Sequence, residues 1–76
     1  MIDERLINIF REVFNNPDLV ITEETSAIDV AEWDSFNHLS LIMAIEDEFS
    51  VSFTTKEVGQ MAGVAYLVKL LQKKLQ

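Results

Sequence analysis

Apolar residues recur at helical spacing in three stretches of the chain, and the polar residues around them mark where each helix stops. In the first, Ile2, Leu6, Ile9, Phe10, Val13 and Phe14 follow one another at steps of three and four, the interval that gathers side chains on one face of an α-helix. Asp3 and Glu4 stand near its positive N-terminal end, where the helix dipole favours acids. Asn15, Asn16 and Pro17 end it, since the residue before a proline is pushed out of helical conformation. In the second stretch, from about Ser35 to Phe49, the apolar stripe is Phe36, Leu39, Ile42, Met43, Ile45 and Phe49. Asn37, Ser40, Asp47 and Glu48 point in other directions around the axis. Ile42, Met43, Ile45 and Phe49 are therefore expected in the core, and Phe36 in the core or half-buried. In the third, Val64, Leu67, Val68, Leu71 and Leu75 form the stripe, with Lys69, Lys73 and Lys74 toward the negative C-terminal end.

The connections differ in length. Thr54 and Glu57 have the T-x-x-E spacing of a capping box, which predicts a short helical turn over about Thr55–Gln60, set off from the last helix by Gly63. The stretch from Asn16 to Asp34 is longer than ordinary helix linkers. It contains Leu19, Val20, Ile21, Ile28, Val30 and Trp33, whose burial is expected to pin it down. The predicted architecture is all-α: a three-helix bundle with an additional short helix and a long anchored loop between the first and second helices.

Composition narrows the function. With 76 residues there is room for one core, so residues 1–76 are read as a single domain. There is no cysteine, hence no disulfide frame, no thiolate zinc site and no thiol of the chain's own. Thirteen Asp and Glu oppose six Lys and Arg, a net charge of −7, which argues against binding nucleic acid or anionic lipid and makes basic proteins the expected partners. No Lys or Arg occurs between Glu12 and Thr55. No apolar run approaches a membrane span, and the opening MIDERL is charged from its third residue, unlike a signal peptide. The cytoplasm is the expected location.

Chemistry performed by the chain itself finds little support. His38 is the single histidine, and the acids show no metal-site motif. The stretch from Asp29 to Asp34 lacks the spacing and the glycine of a calcium loop. Ser35 and His38 can share a helix face, but a hydrolase also needs an orienting acid, an oxyanion hole and a substrate pocket. They are read instead as two exposed helix residues. Two glycines, Gly59 and Gly63, do not make a phosphate-binding loop.

The informative segment is WDSFNHLSLIMAIEDEF, Trp33 to Phe49. Asp34-Ser35-Phe36 at the start of an acidic, amphipathic helix resembles the Asp-Ser-Leu of the acyl carrier proteins. The order of first helix, long loop, second helix with an acidic end, short helix and final helix is similar over nearly the whole chain. Taken alone, Ser35 reads as an N-cap serine. The resemblance implies instead that it carries 4′-phosphopantetheine, transferred from coenzyme A by a phosphopantetheinyl transferase, which makes the chain a carrier and a substrate, not an enzyme. It also implies that Asp34, a helix cap in its own right, is read by the transferase, and that Phe36, where the family usually has leucine, packs beside the arm. Glu46, Asp47 and Glu48, which by themselves read equally as a solvated face, become in the resemblance a docking patch for Arg and Lys on acyl-loading and acyl-processing enzymes. Asn37 and Ser40 are neutral where many fatty-acid carriers have acids, which implies a specialised carrier with few partners. An acyl chain slipping between helices would displace the flexible Met43. The protein is expected to be a monomer. The alternative is a small acidic interaction module without a prosthetic group.

Overall fold

In the computed structural model, residues 2–75 are described, and they form four α-helices and one short 3-10 turn with no strand among them. Helix α1 (Glu4–Val13) is capped by Asp3, whose carboxylate accepts the Arg5 backbone N–H at 2.8 Å and pairs with the Arg5 guanidinium at 3.1 Å. These bonds hold the Asp3 carboxyl below its ordinary pKa. The helix ends where Asn15 turns left-handed (φ 52°), a conformation asparagine tolerates. Leu6, Phe10 and Phe14 are buried, with Ile2, Ile9 and Val13 half-buried beside them.

The long loop is pinned, but by fewer side chains than its composition predicts. Ile21, Val30 and Trp33 are buried and Leu19 is half-buried, whereas Val20 is exposed and Ile28 is 93% exposed. Main-chain bonds anchor the segment around Ile28 instead. Ala27 N–H donates to the Ala62 carbonyl and Val64 N–H to the Thr25 carbonyl, each at 2.9 Å, while Arg11 Nε donates to the Leu19 carbonyl. The turn Ala27–Asp29 thus needs no apolar anchor, and Ile28 faces outward. Trp33 meets the core edge-on against Phe10, with centroids 5.3 Å apart.

Helix α2 (Ser35–Phe49) buries Leu41, Ile42, Ile45 and Phe49. Met43, expected in the core, is 68% exposed, and Phe36, expected at least half-buried, is 78% exposed. The helix has apolar residues on most sides, so spacing alone does not select its inner face. Leu41 and Ile45, one turn apart, belong to the buried row. Phe36, Leu39 and Met43 form a separate i, i+3, i+7 row turned to solvent.

Helix α3 (Thr55–Gln60) carries the expected capping box. Thr54 Oγ1 accepts the Glu57 N–H at 3.1 Å, and Glu57 Oε1 accepts the Thr54 N–H at 2.9 Å. The bond from Thr54 and the Lys74 ammonium at 3.0 Å keep the Glu57 carboxyl below its usual pKa. Helix α4 (Val64–Lys74) buries Val64, Leu67 and Leu71, while Leu75, expected in its stripe, lies exposed at the C-cap. Lys56, Lys69 and Lys73 line a depression between α3 and α4 together with Tyr66 and Leu70. No helix among the described residues is long and apolar enough to cross a membrane.

The ion pairs of the described residues join Arg5 to Asp3 and Lys74 to Glu57. Neither involves the ten acids that run from Glu12 to Glu48. Screening their mutual repulsion is expected to stabilise the fold. The melting temperature should therefore rise with sodium chloride and with millimolar magnesium, and a melting curve insensitive to both would show that those acids do not repel one another appreciably.

Candidate functional site

Asp34 is extended and caps α2, with its Oδ1 accepting the Asn37 N–H at 2.8 Å and its carbonyl accepting the His38 N–H at 2.8 Å. Ser35 is consequently the first helical residue and not the N-cap expected for it in isolation. Its side chain is exposed, and it lies in the first turn, whose backbone N–H groups have no acceptor within the helix. The positive end of the helix dipole adds to a setting that favours an anion on the serine oxygen.

A groove of about 400 Å³ opens beside Ser35. Trp33, Asp34, Ser35, His38 and Leu39 form one wall, and Val58, Gly59, Met61 and Ala62 from the α3 side form the other, with Ala27 between. His38 is half-buried there and not exposed as expected, because both ring nitrogens are hydrogen-bonded: Trp33 Nε1–H donates to Nδ1 at 2.8 Å, and Nε2 lies 2.9 Å from the Val58 carbonyl oxygen. A histidine so engaged has no free nitrogen with which to take a proton from Ser35. His38 is therefore not a base for the serine hydroxyl.

The remaining sequence-predicted residues separate into two groups. Phe36 projects to solvent beside Ser35 and continues into the Leu39 and Met43 row. Met43 is absent from the groove lining, so it is not placed to yield to a chain entering there. Asn37 Nδ2 donates to the Glu32 carbonyl at 2.8 Å and Ser40 Oγ to the Phe36 carbonyl at 3.3 Å, so both polar groups are satisfied close to their own backbone. Glu46 turns inward and accepts the Phe53 N–H at 2.9 Å, tying the turn after α2 to the helix. That bond accounts for an acid at the unfavourable end of the dipole. Asp47 and Glu48 are exposed and share a depression between α1 and α2 with Glu12, Ile9, Val13 and Ala44. Glu12, not among the sequence candidates, thus joins the acidic face. Its i+4 neighbourhood on the predicted first helix carried no sign of this, since the pairing of α1 with α2 is a tertiary matter. Among the described residues, no three His, Cys, Asp or Glu side chains gather in a way that would hold a metal ion.

No protein-family model matches the chain. It is, however, 32% identical over 73 residues to the acyl carrier protein of Buchnera aphidicola subsp. Acyrthosiphon pisum, covering 96% of this chain and 91% of that one. The chain belongs to the acyl carrier protein family. The acyl carrier protein of Rickettsia typhi is 25% identical over 73 residues, covering 85% of its length. The fold superposes with a TM-score of 0.85 on the solution NMR structure of a holo acyl carrier protein from Geobacter metallireducens. That protein is 40% identical, and the match covers 92% of this chain and 80% of that one. For an acyl carrier protein, the features of interest are those just described: an exposed hydroxyl on the first residue of α2, an apolar groove beside it, and an exposed face of mixed apolar and acidic character along the same helix.

Proposed function

We propose that this acyl carrier protein holds acyl intermediates as thioesters on a 4′-phosphopantetheine arm attached to Ser35 Oγ, and presents them to partner enzymes of fatty-acid, polyketide or related biosynthesis. The observation that carries this reading is the position of Ser35, solvent-exposed at the first residue of α2 with Asp34 as a separate cap. Because the cap is a different residue, esterification of the serine does not remove the bond that closes the helix. A phosphodiester there lies beside the first-turn N–H groups that the Asp34 cap leaves without an acceptor, and at the positive end of the dipole. The arm supplies the thiol that the cysteine-free chain lacks.

In this reading residues 1–76 act as one monomeric unit in the cytoplasm. Partners, the phosphopantetheinyl transferase among them, dock on α2. Phe36, Leu39 and Met43 offer an apolar strip starting at the attachment point, and Glu12, Asp47 and Glu48 offer charge at the far end of the helix. A matching surface has an apolar cleft bordered by Arg and Lys. The charges act mainly on encounter rate and orientation. Neutral Asn37 and Ser40 leave the first turns of α2 after the Asp34 cap without acids, which favours a dedicated partner over generic fatty-acid enzymes. Incubation with coenzyme A, magnesium and a broad-specificity phosphopantetheinyl transferase should add the mass of one phosphopantetheine to the intact protein. A chain that stays unmodified would instead be the acidic interaction module.

A further inference from the structure

His38 joins the two walls of the groove beside Ser35. An indole N–H only donates and a carbonyl oxygen only accepts, so the bonds to Trp33 and Val58 require a neutral imidazole that accepts at Nδ1 and carries its hydrogen on Nε2. Trp33 is itself buried against Phe10, and its indole lies edge to edge with the imidazole, the ring planes 26° apart and the centroids 6.1 Å apart. The bridge therefore runs from the aromatic core, across the groove, to the main chain of α3. The far wall is the weaker one. Helix α3 has six residues and buries none of them fully. Its other described polar ties to the bundle are the Glu57–Lys74 pair, one residue before Val58, and a 3.4 Å bond from the Tyr66 hydroxyl to Gln60 Oε1. Next to Val58, Gly59 lines the groove, and a side chain there would meet nothing within 4 Å. His38 follows Ser35 by three residues, on the same side of the helix. A chain entering the groove from Ser35 meets the bridge within one turn.

Resting on the carrier reading above, we propose that His38 determines cargo specificity: the Trp33–His38–Val58 bridge fixes the distance between α2 and α3 and so limits the length of acyl chain that the groove shelters. Helix α3 is the wall that yields when the bridge is released. The bridge acts through spacing, so His38 is a positioning residue and takes no part in chemistry.

Two measurements on Trp33→Phe and His38→Ala test this. The first variant keeps a smaller aromatic ring in the core while removing the N–H donor, so it decides the matter if His38→Ala does not fold. In the unmodified protein, amide hydrogen exchange from Val58 to Met61 should accelerate about five- to tenfold, the effect of losing one hydrogen bond, while α1 and α4 keep their protection. Unchanged exchange in α3 would overturn the bridge whether or not Ser35 is ever modified. In the second measurement, holo protein is loaded with saturated acyl groups from butyryl to dodecanoyl, and thioester cleavage by hydroxylamine is timed. Protection should extend to longer chains in both variants than in the wild type, with short chains unaffected. A uniform change at all lengths, or the same length profile in all three proteins, would reduce His38 to a structural residue and overturn the proposal. Failure to form the holo protein at all would point to the carrier reading, not to the bridge.

Discussion

Ser35→Ala is expected to convert complete phosphopantetheinylation to none while leaving the fold intact. Only a hydroxyl at this position offers the oxygen for the phosphodiester, and no other serine or threonine begins a long helix next to the groove. The structure lowers the expected cost of the change. Asp34, not Ser35, accepts the Asn37 N–H, so the capping bond survives, and an exposed substitution of this kind is expected to alter stability by no more than about 0.5 kcal/mol. Asp34→Ala makes the contrast, because it removes the cap and should cost about 0.5–2 kcal/mol. Intact mass after treatment with coenzyme A and a transferase reads the modification, and circular dichroism with thermal melting reads the fold. A Ser35→Ala protein that still gains the arm would overturn the assignment of the attachment point.

Phe10→Ala is expected to have the largest effect on stability. Phe10 is 0% exposed and packs edge-on against Phe14 at 5.6 Å and Trp33 at 5.3 Å. Truncating a buried phenylalanine costs about 3–5 kcal/mol, because it removes apolar contact and leaves a void that the surroundings fill incompletely. A chain of 76 residues has in total about 4–11 kcal/mol to lose at the usual range per residue. Most of the stability should therefore disappear, with a large fall in the urea midpoint and partial unfolding near 37 °C. The loss should be felt at the site as well, since Trp33 is the inner end of the bridge to His38. A shift of less than about 1 kcal/mol would mean that the aromatic cluster does not organise the core.

What could be read from the chain was mostly what its local chemistry decides. The bounds of α1, the capping box of Thr54 and Glu57 and the break at Asn15 all depend on residues within a turn of one another. The inner face of α2 does not. With Leu39, Leu41, Ile42, Met43 and Ile45 distributed around the axis, the choice of Leu41 over Met43 is made by tertiary packing, chiefly of α1 against the helix. The exposure of Ile28 has a similar cause, because the Ala27 N–H bond to the Ala62 carbonyl and the Val64 N–H bond to the Thr25 carbonyl hold the loop at the α3–α4 junction without it. At the site, the start of α2 at about Ser35 and the cap from Asp34 were both legible from their neighbours. The inward turn of Glu46 and the engagement of His38 depend on Phe53 and Val58, both beyond the reach of helical spacing. A buried indole needing an acceptor for its N–H was the one sequence-level hint of the histidine bond.

The distribution of charge gives the molecule an electrical compass. Glu12, Asp47 and Glu48 gather between α1 and α2, while Lys56, Lys69 and Lys73 gather between α3 and α4, with no residue common to the two depressions. In the field of a positively charged partner these two groups feel opposite forces, and the resulting torque turns the protein before the surfaces touch. The face bearing α2 is drawn forward and the lysine face swings to the rear. A molecule that tumbles freely in bulk solution would therefore arrive already rotated, spending fewer of its collisions on the wrong side.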